Sequence, residues 1–345
     1  MCNMAAYAGC RAAAPILLQM LESQEALGGG HYTGIATLSG GTIHLLKVIG
    51  PVSELLRRHP EALEMPGTVG IAHSRTPGID SDAWAQPFLS YNGQVVYCAN
   101  GAAGQFKATD YNSAYLRDKA EGIVYRTSIA HPAGTYPVMA DGCCVHSSEV
   151  NANVVRRRLA AGGTLRDALA AMLAEYPSEI AGLALAVQEP ESVSAVRLNQ
   201  PLMWGRDESG FYLATAAFAL ENEHLEWVNP VPSASVLTMT REAIALQALD
   251  GFASFFVPCE PRHRVFQALD AMLARGGDYC VNDFCEEAKK CWPAGKLATA
   301  NMVAYEFLRE ELATGTLESW LVETPGSGAG LVAPQRRYRR KRGGA

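Results

Sequence analysis

Gly70-Ile71-Ala72-His73-Ser74-Arg75 is the stretch on which the reading of this chain turns. Its small and apolar opening predicts a short buried strand, and the polar triplet His73-Ser74-Arg75 ends it. An arginine there presents a planar fork that matches a carboxylate in two parallel hydrogen bonds. Alone, an arginine at a strand end is more often a surface residue. Its weight comes from the rest of the first hundred residues.

Upstream, Cys2 follows the initiator methionine. Removal of Met1, usual before a small side chain, would leave one residue carrying both a thiol and an α-amine. The amine titrates at roughly 7.7–8.0 and the thiol at about 8.5, so the amine can act as base for its own thiol. Gly28-Gly29-Gly30-His31-Tyr32-Thr33-Gly34-Ile35 is a glycine-rich turn running into an apolar strand, where backbone can approach a ligand closely. Val95-Val96-Tyr97-Cys98-Ala99-Asn100-Gly101 is a second apolar strand ending in Asn-Gly. Asn-Gly is commonly a hairpin turn, yet Asn100 offers a side-chain N–H₂ and Gly101 an unobstructed backbone N–H for a developing oxyanion.

In this order and spacing the motifs resemble the glutaminase domain of class II glutamine amidotransferases, the N-terminal-nucleophile type, as found in glucosamine-6-phosphate synthase. The likeness runs from Cys2 to about Thr240 and is strongest over Gly70 to Arg75. The resemblance implies that Cys2 is the nucleophile on a side-chain amide and its α-amine the base. It implies that Arg75 holds the glutamine α-carboxylate, that Asn100 and Gly101 form the oxyanion hole, and that Gly29 approaches the nucleophile. His73 and Thr76 flank the clamp and join the expected substrate-binding set. His146-Ser147-Ser148-Glu149-Val150 falls on the family's Thr-Asp-Thr-Glu-Val motif, which puts Ser147 where an aspartate binds the α-amine. Asp141 and Glu149 are the neighbouring acids that would have to replace that charge. Further departures are Asn3 for glycine, Gly28 for arginine, Thr76 for the channel-gating tryptophan and Ala99 for histidine.

The resemblance implies a four-layered αββα sandwich of the α+β class, and the sequence pattern is compatible with it. Strands are expected at 34–38 and 42–48 across a Gly-Gly turn, and at 180–188, 193–198, 211–214 and 235–240. Helices are expected at 12–27, 53–63, 151–161 and 165–175, the last capped by Thr164. The expected amidotransferase-like domain spans 1–243. Residues 244–324 carry helical patterns at 262–275, 281–291 and 298–313 and a strand at 316–323, a small unit resembling a winged helix. Residues 325–345 read as a Gly/Ser/Pro linker and a basic, disordered tail.

Composition narrows the function classes. With 345 residues and 48% hydrophobic content the chain can bury a large core. No apolar run is long enough to span a membrane, and no signal-peptide pattern opens the chain, so no membrane partner is expected. Nine irregularly spaced cysteines point to reduced thiols and a cytoplasmic setting, and no metal site is expected at Cys280, Cys285 and Cys291. The net charge of −6 is uneven: Arg336 to Arg342 carries six basic residues, which leaves −12 on the body. Asp283, Glu286 and Glu287 offset Lys289 and Lys290, poor chemistry for a phosphate backbone, so nucleic acid is not an expected partner.

The function expected from these residues is release of ammonia from glutamine by a cysteine nucleophile without a cofactor, the ammonia serving a separate synthase subunit. Two alternatives stand beside it: an amidohydrolase on another γ-glutamyl or small amide, and a catalytically idle regulator sensing an amide. Self-association into a homo-oligomer through the C-terminal unit is a further expectation.

Overall fold

The structure is a computed structural model that describes residues 2–221, 223–256, 261–294 and 296–341. The chain opens with strand β1 (Asn3–Gly9), helix α1 (Ala13–Glu25), strands β2 (Tyr32–Ser39) and β3 (Thr42–Ile49), helix α2 (Val52–Arg58) and strand β4 (Val69–Arg75). Next come β5 (Phe88–Leu89), β6 (Val95–Ala102) and helices α3 (Asn112–Ala120), α4 (Ser147–Ala160) and α5 (Leu165–Glu175). Strands β7 (Glu179–Ala186), β8 (Val193–Arg197), β9 (Met203–Asp207), β10 (Gly210–Ala214), β11 (Trp227–Pro230), β12 (Ser235–Met239) and β13 (Ile244–Ala248) complete the larger unit. The remainder is α6 (Arg262–Ala274), β14 (Tyr279–Cys280), α7 (Val281–Lys290), α8 (Ala300–Ala313), β15 (Leu317–Pro325) and β16 (Val332–Arg340).

Two antiparallel sheets stack face to face. The first has the order β11-β9-β10-β1-β4-β2-β3 and the second β13-β12-β8-β7-β6-β5. Period-two alternation of side chains assigns each strand to two cores. Met4, Ala6 and Ala8 of β1 join Val96 and Cys98 of β6 and Leu183 and Leu185 of β7 between the sheets. Ala5 and Tyr7 face the opposite way, onto Leu17, Met20 and Leu21 of α1. Val95 and Tyr97 of β6 pack on Val154, Val155 and Leu169 from α4 and α5. The result is helix, sheet, sheet, helix. This is the expected αββα sandwich, and its small strand residues allow β1 and β4 to be buried on both faces.

Local chemistry sets several boundaries. The β2–β3 hairpin closes on Gly40 and Gly41, both at positive φ (57° and 74°), the left-handed conformation a two-residue hairpin turn demands. Helix α5 starts at a capping box in which Thr164 and Asp167 satisfy each other's backbone N–H groups. Helix α4 begins four residues before its expected start, because His146 Nδ1 accepts a hydrogen bond from the Ser148 N–H and caps it.

Two expectations are corrected. The boundary at 243 falls inside the β12–β13 hairpin, and Leu249 and Phe255 remain in the core of the larger unit. The basic tail is a strand: β16 pairs with β15 from Leu317↔Arg340 to Pro325↔Val332 and with β14 on its other side. Its charges find acidic partners, Arg339 on Glu318 and Arg340 on Asp270, while Tyr338 is fully buried beneath them. The charge run hid an alternating strand. Residues 342–345 lie outside the described residues. The C-terminal unit packs three helices against a small antiparallel sheet.

Candidate functional site

Register brings the motifs together. In the β1–β4 pair, Asn3 opposes Ser74 and Met4 opposes His73, so Cys2, just before β1, meets the end of β4 where Arg75 leaves the sheet. In the second sheet β6 ends at Asn100 and Gly101. Asn100 ties the layers together: its Nδ2 donates to the Cys2 carbonyl at 2.7 Å and to Thr215 Oγ1 at 2.8 Å. Gln24 Nε2 donates to the Met4 carbonyl at 2.8 Å, fixing the start of β1 from the helix side.

The half-buried Cys2 thiol lies 3.6 Å from Thr76 Oγ1 and lines a cleft of about 600 Å³. Burial opposes ionisation of this thiol, but the hydrogen bond and charge of His73, joined by the N-terminal charge and a backbone hydrogen bond at Thr76, together outweigh it and lower its pKa from 9.0 to about 6. His73 is fully buried. Its Nε2 lies 3.2 Å from both the Ala99 carbonyl and Gln86 Nε2, and Gln86 also pins Ala99 through its own amide. By contrast, burial raises the pKa of Cys98, in the intersheet core.

Arg75 is 3% exposed and is held by neutral groups. Its Nη2 donates to Tyr136 Oη at 2.7 Å, its Nη1 to the Trp84 carbonyl at 3.5 Å, and its guanidinium lies 4.7 Å from the Tyr32 ring centre. Among the described residues it makes no ion pair. Such a buried guanidinium is prepared for an incoming carboxylate.

Of the other expected residues, Gly101 and Ser147 line the cleft. Gly101 has φ +115°, and a Cβ there would stand 2.1 Å from the Glu179 carbonyl oxygen, so only glycine fits. Ser147 is the first residue of α4. Asn100 does not line the cleft, and its amide hydrogens are engaged by Cys2 and Thr215, so service to an oxyanion means exchanging one of those bonds. Gly29 packs on Ser74 and Asn3, where a Cβ would come within 2.5 and 2.8 Å of their side chains. It lines a second cavity of about 690 Å³, walled also by Asn282, Lys289 and Asn301 of the C-terminal unit. The two cavities share Thr76, Pro77, Gly101 and Ala102.

The acids expected to replace the missing aspartate do not reach the cleft. Glu149 is buried, with its carboxylate taken by the backbone N–H groups of Arg126 and Thr127 and by Thr127 Oγ1. Asp141 faces outward, bound by Tyr115 and Lys119. That expectation is corrected. The sequence reading also missed Tyr136, Gln86 and His146, because nothing local marks an aromatic cage assembled from three separate loops. Among the described residues, no group of three or more His, Cys, Asp or Glu is arranged to hold a metal ion, and no helix is long and apolar enough to cross a membrane.

Comparison with known proteins bears on the fold. No family model matches the chain. Glutamine–fructose-6-phosphate aminotransferase (isomerizing) of Pyrococcus horikoshii is 27% identical over 217 residues, 62% of this chain and 32% of that protein. The Chlorobaculum tepidum protein of the same name is 26% identical over 260 residues, 72% of this chain and 38% of its own length. The chain thus matches about a third of these relatives. Among solved structures, glutamine phosphoribosylpyrophosphate amidotransferase from B. subtilis, in complex with ADP and GMP, superposes with TM-score 0.59. It covers 97% of this chain and 69% of its own, at 16% identity, which establishes the shared fold. The chain is similar in sequence to these aminotransferases over part of its length and shares the fold of the solved amidotransferase.

Proposed function

We propose that the chain hydrolyses a glutamine-type side-chain amide with the Cys2 thiol as nucleophile, and that the ammonia serves a separate acceptor enzyme. The observation that carries this reading is a thiol lowered to about 6 in the same cleft as a buried guanidinium that lacks a carboxylate. Arg75 binds the substrate carboxylate and sets the amide across the cleft. The Cys2 thiolate attacks the amide carbon. Gly101 N–H and Asn100 Nδ2 stabilise the tetrahedral oxyanion, a good donor being worth on the order of 3–4 kcal/mol. The leaving nitrogen takes a proton and departs as ammonia, and a thioester joins Cys2 to the acyl group. Water then adds to the thioester carbon, releasing the carboxylate and regenerating the thiol. With Met1 removed, the Cys2 amine carries the protons in both steps.

The curated relatives are named as aminotransferases to fructose 6-phosphate, and this chain matches only about a third of their length. The second cavity, beginning across the wall made by Thr76, supports a route for ammonia toward the C-terminal unit and a partner docked there. The test is ammonia release from glutamine and from other ω-amides by native protein and Cys2→Ala. Release that is lost in Cys2→Ala supports the reading; equal release from both proteins, or release from neither, refutes it.

A further inference from the structure

Apart from the Cys2 thiolate, the charges around the cleft are of one sign. Arg75 stands at its base and Lys107 at its exposed rim, while Ser147 and Ser148 present the N-terminal turn of the fourteen-residue helix α4, whose dipole adds partial positive charge. Among the described residues, no aspartate or glutamate lines it. Glu149 and Asp141, the acids nearest in sequence to Ser147, are committed elsewhere by the hydrogen bonds described above.

His146 adds an independent constraint. It lines the cleft, is 3% exposed, and packs against the rings of Trp84, Phe88 and Tyr136. Burial and the nearby Arg75 hold its pKa well below the ordinary value, so the ring is neutral. Its Nδ1 accepts from the Ser148 N–H at 3.2 Å, which puts the proton on Nε2. That N–H is buried with no acceptor among the described residues. A buried donor left unmatched costs about 1–3 kcal/mol, and an oxygen acceptor relieves it whereas an ammonium cannot.

We infer that the substrate is an ω-amide acid without a free α-ammonium, such as a deaminated, 2-oxo or N-acylated counterpart of glutamine, with Ser147 as the residue that sets this preference. The inference rests on the amide-hydrolase reading for its chemistry but not for its binding. An α-amino acid placed with its carboxylate on Arg75 brings an ammonium into a positively charged, carboxylate-free cleft and pays for its desolvation without an ion pair. Removing the ammonium removes that penalty and keeps the Arg75 contact. Ser147 lines the cleft as a neutral residue at the start of α4.

The experiment compares glutamine with glutaramate, the same amide acid lacking the amino group. Calorimetry on Cys2→Ala measures binding without turnover, and ammonia release by native protein measures catalysis. Glutaramate is expected to bind at least tenfold more tightly than glutamine, with N-acetylglutamine also preferred over glutamine. Ser147→Asp, which places an acid at a helix N-terminus where it is well tolerated, reverses the order, whereas the uncharged Ser147→Asn does not. Glutamine binding as tightly as glutaramate, or neither binding, overturns the inference. An unchanged order in a folded Ser147→Asp overturns the role of Ser147. Preferential binding of glutaramate without Cys2-dependent ammonia release upholds the ligand class while refuting the hydrolase reading.

Discussion

Replacing His73 by glutamine isolates the electrostatics of the nucleophile. In the native protein the thiol falls from 9.0 to about 6 because His73, with smaller help from the N-terminal charge and the Thr76 backbone, outweighs burial. That difference corresponds to about a thousandfold in the thiol–thiolate equilibrium, or about 4 kcal/mol. Without the imidazole, burial acts nearly unopposed and the thiol returns to 9 or above. The sign is that of an acid: the reactive thiolate is present above the pKa and disappears as pH falls through it. At pH 7 the native thiol is about 90% ionised and the variant about 1%. The rates differ by less, since nucleophilicity falls with pKa at a Brønsted slope of about 0.4–0.5, which returns roughly 20- to 30-fold to the variant. The pH midpoint is therefore the proper readout, not the rate at one pH. Iodoacetamide labelling of Cys2, followed by peptide mass spectrometry from pH 4.5 to 10, is expected to give a midpoint near 6 for the native protein and near 9 for His73→Gln. A native midpoint above 8, or the same midpoint for both, refutes the assignment of His73.

Two predictions concern stability. Burial raises the Glu25 pKa to about 7 from 4.5 while its carboxylate accepts the Val52 N–H, so its contribution is complete below pH 4.5 and is lost as pH rises through 7. Glu25→Gln is expected to be near neutral at pH 4 and stabilising at pH 8.5 by up to about 3 kcal/mol in urea unfolding, and a pH-independent effect contradicts this. Tyr338→Ala removes a fully buried ring that meets Phe284 edge-on beneath the basic strand, and is expected to cost about 3–5 kcal/mol of stability in the C-terminal unit. A thermal melt unchanged by the substitution would restore the disordered tail.

The sequence by itself determined whatever depends on neighbours in the chain. Gly40-Gly41 can form only a tight hairpin, Thr164 and Asp167 cap their own helix, and alternation in β6 assigns Val95 and Tyr97 to one face and Val96 and Cys98 to the other. The motif order likewise singled out Cys2, Arg75 and Gly101 before any of them had a position. Only the tertiary structure decided what each side chain meets. Asp141 and Glu149 flank Ser147 along the chain, yet one turns to Tyr115 and Lys119 and the other to the Arg126–Thr127 backbone, leaving the cleft without a carboxylate. Seven basic and aromatic residues in a row read as a solvated tail until β14 and β15 supply strands on both sides and Asp270 and Glu318 supply charge. Backbone torsions and caps are set within a few residues, whereas the field at a thiol or in a cleft sums over groups well over a hundred residues apart, and folding alone fixes their distances.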